Sequence, residues 1–185
     1  MEYITTQLHD AKLLKPKVFN DERGFFLEVW RQNAFDDLLN NGKPLIFKQD
    51  NHNASRQHIL RGLHFQYLKP QGKLVRAIAG EIYDVIVDMR QSSPSFGMWQ
   101  GFYLSASNKH ILWVPPGFAH GFYTISETAE VCYKCTDYYN PGDEYSILWN
   151  DPDLAIDWPF VHSSPPELSQ KDGEGVLFRD ALKYA

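Results

Sequence analysis

Two histidines, each close to a glycine, are the side chains of this chain best suited to chemistry. His64 lies within Arg61–Gln66, and His120 ends Pro115–His120, whose proline and glycine favour a tight turn before the next extended run. Imidazole has a usual pKa of about 6.5 and acts as a general base when a carboxylate orients it. The two segments therefore indicate acid–base chemistry, although a histidine in such a setting can also be purely structural.

The surroundings of the two histidines bear on metal binding. The segments resemble the two motifs of the cupin barrels, in which H-x-H, a glutamate a few residues later and a further histidine bind a metal ion. Here the first motif reads His64-Phe65-Gln66, and Leu68–Lys73 contains no carboxylate but ends in a cation. Two imidazoles alone are a poor ligand set for zinc or iron, so we predict a site without a metal ion. The ammonium of Lys73 would stabilise a developing oxyanion instead, unless it is a solvated lysine at a strand end.

The spacing of Arg61 and His64 decides whether both can face one pocket. Side chains of a regular strand alternate between its two faces, so residues three apart point to opposite sides. Gly62 lies between them and could host a β-bulge, which inserts one residue and resets the register. The sequence is compatible with either arrangement.

An extended run after residue 130 carries a phenol that could take part in chemistry. With a period of two, Val131, Tyr133 and Cys135 share one face, whereas Cys132 and Lys134 share the other. A phenol inside a barrel needs a hydrogen-bond partner or a ligand. Because the two cysteines point to opposite faces, we predict that both are free thiols.

The elements that must position these residues are short extended runs separated by turns, a pattern typical of a β-sandwich or barrel. We predict one mainly β domain over residues 1–185 with a few short helices, at Gln32–Asn40 and Gly175–Lys183, and a hairpin turn at Gly80. The expected extended runs are Phe25–Trp30, Lys73–Ala79, Glu81–Met89, Met98–Ser105, His110–Val114, Gly121–Ile125 and Glu130–Tyr139.

Composition and charge narrow the possible partners. The formal charge of −5 argues against a general nucleic-acid-binding surface. No apolar run is long enough to cross a membrane, and Met1–Thr6 lacks the charged-then-apolar order of a signal peptide. We therefore predict a cytoplasmic protein that binds neither nucleic acid nor membrane. The aromatic content of 15% suits β-structure with an aromatic-lined pocket.

Most of the chain resembles the dTDP-4-dehydrorhamnose 3,5-epimerase family, with the motifs in the family's order. The resemblance implies a cupin-type jelly roll, a homodimer, no cofactor and catalysis without a metal ion. It implies a nucleoside-diphosphate 4-keto-6-deoxyhexose as the substrate. The matching segments are Arg23–Phe26, Arg61–Gln66, Gln71–Val75, Asp84–Asp88, Ser93–Gly97, Pro115–Phe122, Tyr133–Thr136, Asn150–Pro152 and Leu168–Asp172.

The same resemblance implies roles for individual residues. His64 is the expected general base, Tyr133 the general acid, and Asp172 the carboxylate paired with His64. Lys73 and His120 are expected to face the sugar ketone. The residues implied to bind the substrate are Arg23, Phe26, Glu28, Gln49, Asn51, Arg61, His120, Tyr139, Glu144 and Lys171. The segment from Arg23 to Glu28 is implied to lie beside a two-fold interface, so part of each pocket would come from the neighbouring subunit.

The implied reaction converts dTDP-4-dehydro-6-deoxy-D-glucose into dTDP-4-dehydro-L-rhamnose by inverting C3 and C5. The C4 ketone acidifies the hydrogens on both carbons, so a base can remove each in turn and an acid can return a proton to the opposite face. Three other functions are compatible with the sequence. The first is an enzyme of the same fold that epimerises only C3 or only C5, or a ketoisomerase, acting on a related sugar. The second is a metal-dependent cupin oxygenase or isomerase. The third is a sugar-binding barrel without catalysis.

Overall fold

Strands dominate the regular structure of this chain, which a computed structural model describes over residues 1–185. The helices are α1 (Gln32–Asn40) and α2 (Gln170–Gly173), with 3₁₀ turns at Pro141–Asp143 and Phe178–Asp180. The strands are β1 (Glu2–Thr5), β2 (Lys12–Lys15), β3 (Val18–Asp21), β4 (Gly24–Leu27), β5 (Gln49–Arg56), β6 (Leu60–Gln66), β7 (Lys73–Ala79), β8 (Glu81–Asp88), β9 (Trp99–Ser105), β10 (Ile111–Val114), β11 (Phe118–Thr124), β12 (Thr128–Cys135) and β13 (Glu144–Ser146).

Strands β5 to β12 form a jelly roll. One sheet has the order β1-β2-β10-β7-β12-β5 and the other the order β13-β6-β11-β8-β9, and their pairings are antiparallel. Without the added edge strands, the orders are β5-β12-β7-β10 and β6-β11-β8-β9, which is the double Greek key of a jelly roll. The predicted fold class is confirmed. A separate hairpin, β3–β4, pairs with neither sheet.

Apolar side chains fill the space between the two sheets at one end of the barrel. Val75 and Val131 of the first sheet pack against Ile86 and Phe122 of the second. Each such side chain stabilises the fold by about 1.5–3 kcal/mol when fully buried. The polar cavity described below occupies the rest of the interior, so this core fixes the two sheets on either side of it.

The outer faces of both sheets are covered as well. Phe35 of α1 packs on Leu74 and Trp113 of the first sheet. Trp158, in the C-terminal segment, packs on the outer face of the second sheet with Val85 in the same cluster. These strands are therefore apolar on both faces, apart from the positions that open into the cavity. No helix of the structure is long and apolar enough to cross a lipid bilayer.

Several local predictions are confirmed, and others are wrong in ways that tertiary contacts explain. Lys73–Ala79 and Gln32–Asn40 have the predicted bounds, and Gly80 turns between β7 and β8 with φ +66°. The predicted helix Gly175–Lys183 is wrong, since only a 3₁₀ turn forms there. Its backbone bonds to neighbouring segments instead, as when the Val176 amide donates to the Ser146 carbonyl.

Other differences lie at strand ends and in strands that no predicted run covers, such as β2 and β6. The strand predicted over Phe25–Trp30 ends at Leu27, and the one predicted over Glu130–Tyr139 ends at Cys135. The polar run that begins at Gln49 is part of strand β5, where no extended run was predicted. Both cysteines are free, as predicted.

Candidate active site

A polar cavity of about 400 Å³ lies between the two sheets and opens to solvent. Both sheets supply its walls, and α2 closes one side. The lining residues are Gln49, Asn51, Asn53, Arg61, His64, Gln71, Lys73, His120, Gly121, Phe122, Tyr133, Tyr139, Glu144, Ser169, Lys171 and Asp172. Of the fourteen residues expected in the site, eleven therefore line one cavity of this chain.

The two histidines face the cavity because β6 and β11 pair with His64 opposite His120. The register then shifts, and Arg61 lies opposite Phe122, so β6 contains one extra residue at the position where a bulge was considered. Gly62 has φ +110°, and a Cβ there would lie 2.6 Å from the Cα of Gly121. This close approach of two glycines lets Arg61 and His64 both face the cavity.

His64 is held by a carboxylate from α2. Its Nε2 lies 2.5 Å from Oδ1 of Asp172, while Ser169 caps α2 and donates to Oδ2 at 2.7 Å. The Gly62 amide also donates to Oδ1. Burial raises the pKa of Asp172, but the bonds from His64 and Ser169 and the charge of His64 outweigh it and hold the pKa below its usual range. The ionised carboxylate favours the tautomer of the neutral His64 ring that carries its proton on Nε2, and that tautomer has a lone pair on Nδ1.

His120 pairs with a second carboxylate, Asp84 of β8. Its Nε2 lies 2.9 Å from Oδ2 and 3.1 Å from Oδ1, and Asp84 is fully buried. Burial lowers the pKa of His120 even though Asp84 opposes this. The ring is therefore neutral near pH 7, with its proton on Nε2. Burial also lowers the pKa of the Lys73 ammonium, which Cys135 and Asp84 oppose.

Tyr133 enters the cavity from β12, in the sheet opposite that of His64. Its neighbour on the same face, Val131, is part of the core, as the strand alternation predicted. The phenol makes no hydrogen bond within the chain. Burial, followed by the nearby Cys135, raises its pKa, which the Arg61 charge only partly opposes. The hydroxyl is thus protonated at neutral pH and free to donate.

The mouth of the cavity carries charged and amide side chains. Tyr139 donates its hydroxyl proton to Oε2 of Glu144 at 2.7 Å, and Lys171 pairs with the same oxygen. The Tyr139 amide donates to Oε1 of Gln49. Arg61 is positioned by bonds to Ser55 Oγ and the Ala54 carbonyl. This rim holds two cations and several amide donors near His64 and His120.

Three residues expected to bind substrate lie outside this cavity. Arg23 pairs with Asp21 on the β3–β4 hairpin, and its side chain is 90% exposed. Phe26 is 68% exposed on the same hairpin, and Glu28 pairs with Arg31 just after it. Within one chain the hairpin does not reach the cavity, so these three residues do not line it.

The sequence reasoning missed Asp84, the partner of His120. A signal was present, because Asp84 is a carboxylate in the otherwise apolar run Tyr83–Val87, and a buried strand rarely carries an unpaired charge. Ser169 was missed as well, although a serine three residues before an aspartate marks a helix start. The chain contains no group of three or more His, Cys, Asp or Glu side chains placed to hold a metal ion.

A family model described as dTDP-4-dehydrorhamnose 3,5-epimerase matches residues 5–180. The chain belongs to this family. The enzyme of that name from Salmonella typhimurium is 54% identical over 183 residues, which are 98% of each chain. The family therefore spans nearly the whole chain, including every lining residue of the cavity.

Solved structures agree with this assignment. The epimerase RmlC of Legionella pneumophila, solved in complex with dTDP-4-keto-L-rhamnose, aligns with a TM-score of 0.91 and 47% identity, covering 97% of this chain and 93% of that one. The 3′-monoepimerase ChmJ of Streptomyces bikiniensis, solved with dTDP-quinovose, aligns with a TM-score of 0.87 and 28% identity, covering 94% and 86%. The same jelly roll therefore also occurs in an enzyme described as inverting a single centre.

Proposed function

We propose that this chain inverts both C3 and C5 of dTDP-4-dehydro-6-deoxy-D-glucose, the reaction of the epimerase family to which it belongs. The observation that carries the proposal is the placement of a base and an acid on opposite walls of one cavity. His64 enters from the second sheet with Nε2 bonded to Asp172, and Tyr133 presents a free hydroxyl from the first sheet. A flat enolate between them can lose a proton on one side and gain one on the other.

The first step is removal of a proton next to the ketone. His64 Nδ1 takes the proton from the carbon, and the electron pair of the C–H bond moves into an enolate whose negative charge lies on O4. Lys73 is the donor that holds this charge, since it lines the same cavity. Neutral His120 has its proton directed at Asp84, so its Nδ1 can only accept, which suits a sugar hydroxyl.

The second step returns a proton to the other face of the ring. The Tyr133 O–H bond breaks, its proton joins the carbon, and the enolate collapses to the ketone with that carbon inverted. A positioned proton-transfer group contributes about 10²–10⁴-fold to the rate. The raised pKa of Tyr133 suits this role because the phenol keeps its proton until the enolate forms.

The rim of the cavity is suited to the nucleotide. Arg61 and Lys171 can bind the pyrophosphate, since guanidinium and ammonium groups pair with phosphate oxygens. Gln49 and Asn51 offer amide groups for the sugar or the base, and Tyr139 offers an aromatic face. These cations account for anion binding by a chain with a net charge of −5.

A homodimer would bring the remaining three residues to the site. The β3–β4 hairpin pairs with no other strand of its own chain, and Phe19, Phe25 and Phe26 on it are exposed. Strand β5, which carries Gln49 and Asn51, is an edge strand of its sheet. We infer that the partner's hairpin lies along this edge and supplies Arg23, Phe26 and Glu28. Light scattering should give twice the chain mass, and a monomeric mass would contradict this arrangement.

Proton NMR in deuterium oxide tests the reaction. Incubation with dTDP-4-dehydro-6-deoxy-D-glucose should place deuterium at both C3 and C5, and a following NADPH-dependent reductase should yield dTDP-L-rhamnose. Exchange at only one carbon would identify a single-centre epimerase like ChmJ. Binding of the sugar nucleotide without any exchange would identify a binding protein and overturn the catalytic proposal.

A further inference from the structure

Inversion of two carbons in succession requires His64 and Tyr133 to return to their starting protonation states between the two inversions. After the first carbon is inverted, His64 has gained a proton and Tyr133 has lost one. The second carbon can react only when His64 has released its proton and the phenolate has taken one up. If the sugar stays bound meanwhile, the imidazolium needs an acceptor other than the substrate.

Asp172 cannot be that acceptor. It already receives hydrogen bonds from His64, Ser169 and the Gly62 amide, and these together hold it in its ionised form. It also faces Nε2, which carries a proton throughout. The proton taken from carbon sits on Nδ1, so the acceptor must face that nitrogen.

Glu144 is the carboxylate that faces Nδ1 of His64. Its Oε1 lies 4.0 Å from that nitrogen, close enough for transfer through one water or after a shift of about 1 Å. Strand pairing fixes the arrangement, because β13 places Glu144 opposite Gln66 and Ser146 opposite His64. The two side chains therefore lie on neighbouring strands and are held by the backbone.

The two oxygens of Glu144 are engaged differently. Oε2 receives the Tyr139 hydroxyl and the Lys171 ammonium, whereas Oε1 makes no hydrogen bond within the chain. The side chain of Glu144 is 12% exposed, that of His64 is 24% exposed and that of Lys171 is 48% exposed, so the carboxylate lies between the imidazole and an exposed ammonium at the rim. A free acceptor oxygen thus faces the base, and the other oxygen is anchored at the rim.

A second, small cavity adjoins both side chains. It measures about 20 Å³, which is room for one water molecule, and its polar lining includes His64, Gln71, Lys73 and Glu144. A water there would have hydrogen-bond partners on several sides. Such a water would bridge the 4.0 Å gap between Nδ1 of His64 and Oε1 of Glu144.

From these contacts we propose that Glu144 is the proton outlet of His64, which resets the base between the two inversions; this role rests on the proposed function. In the reset, the N–H bond at Nδ1 breaks and its proton passes to the Glu144 carboxylate, directly or through water. Glu144 then releases that proton to solvent, and the Tyr133 phenolate takes one proton from solvent. Charge and protons balance, and both groups return to their starting states.

The test follows the two carbons separately by NMR in deuterium oxide, with the sugar nucleotide as substrate. In Glu144→Gln the first inversion should continue, while the second slows by about 10-fold or more, so a singly inverted sugar accumulates. Glu174→Gln, which changes an exposed glutamate outside the main cavity, should behave like wild type. Equal slowing of both inversions, or a change in KM alone, would overturn the proposal and leave Glu144 as a binding residue.

Buffer dependence separates a proton outlet from a structural role. Raising the concentration of a small buffer at constant pH and ionic strength should restore the second inversion in Glu144→Gln but not alter wild type. Glu144→Asp, which keeps an acid, should show a smaller defect than Glu144→Gln. Equal defects in the two variants, or no response to buffer, would contradict the proposal. Absence of exchange at both carbons in wild type would instead refute the proposed function.

Discussion

The two histidine–aspartate pairs of this barrel lie side by side but differ in solvent exposure and in the number of hydrogen bonds to the carboxylate. His64 is 24% exposed and its partner Asp172 receives three hydrogen bonds, whereas His120 is 7% exposed and Asp84 bonds only to His120. Both rings direct Nε2 at a carboxylate and leave Nδ1 free. The more exposed His64–Asp172 pair can therefore exchange protons with solvent. The closed His120–Asp84 pair can only hold its ring in a fixed orientation.

The largest expected effect separates the two histidines. His64→Ala should lower kcat by about 10²–10⁴-fold and abolish deuterium exchange at C3 and C5 together, because the base is gone. His120→Asn should lower kcat by only about 10-fold, which corresponds to the loss of roughly one hydrogen bond. Steady-state kinetics and NMR measure both. Exchange at the wild-type rate in His64→Ala would assign the base to another residue.

Removal of the acid in Tyr133→Phe should leave proton removal by His64 intact. In Tyr133→Phe, deuterium exchange at carbon should persist, because His64 can return a solvent-derived proton to the face it came from. Formation of the inverted sugar should fall by about 10²–10⁴-fold. Tyr103→Phe, on an exposed tyrosine of β9, is the matched control. Loss of exchange and inversion in parallel would contradict separate acid and base roles.

The two aspartates should respond differently to loss of charge. Asp172→Asn should lower kcat by about 100-fold, since an amide does not hold the proton on Nε2 of His64. Asp84→Asn should lower kcat by about 10-fold or less, but lower the free energy of unfolding by about 1–3 kcal/mol, because its site is buried. Kinetics and urea unfolding distinguish the outcomes. Equal losses of kcat in the two variants would show that the difference in solvent exposure does not give the two pairs different roles.

The smallest expected effect is on acid stability. The pKa of Asp172 is lowered in the folded chain, so its contribution to stability is complete above the unfolded value of about 4 and is lost as pH falls through the folded value. The difference in unfolding free energy between wild type and Asp172→Asn should therefore be constant from pH 7 to 5 and shrink below pH 4. Urea unfolding at each pH measures it. A difference independent of pH would show that the carboxylate charge is not stabilising.

Local patterns predicted much of this fold because they depend only on neighbouring residues. The helix over Gln32–Asn40 and the strand over Lys73–Ala79 follow from periodicity, and the faces of β12 follow from alternation. The helix expected over Gly175–Lys183 did not form, because the backbone there bonds to distant segments. Intrinsic propensity is a weak preference that such contacts override.

The pattern of short extended runs predicted a β-sandwich or barrel, and the family resemblance indicated the jelly roll, the base, the acid and the carboxylate. Tertiary structure alone decided that Asp172 meets a histidine 108 residues away, that Asp84 pairs with His120, and that Glu144 faces Nδ1 of His64. The physical reason is that periodicity fixes only which face of a strand a side chain occupies. Which side chains meet across a cavity depends on the pairing and packing of whole sheets, and that is a property of the complete fold.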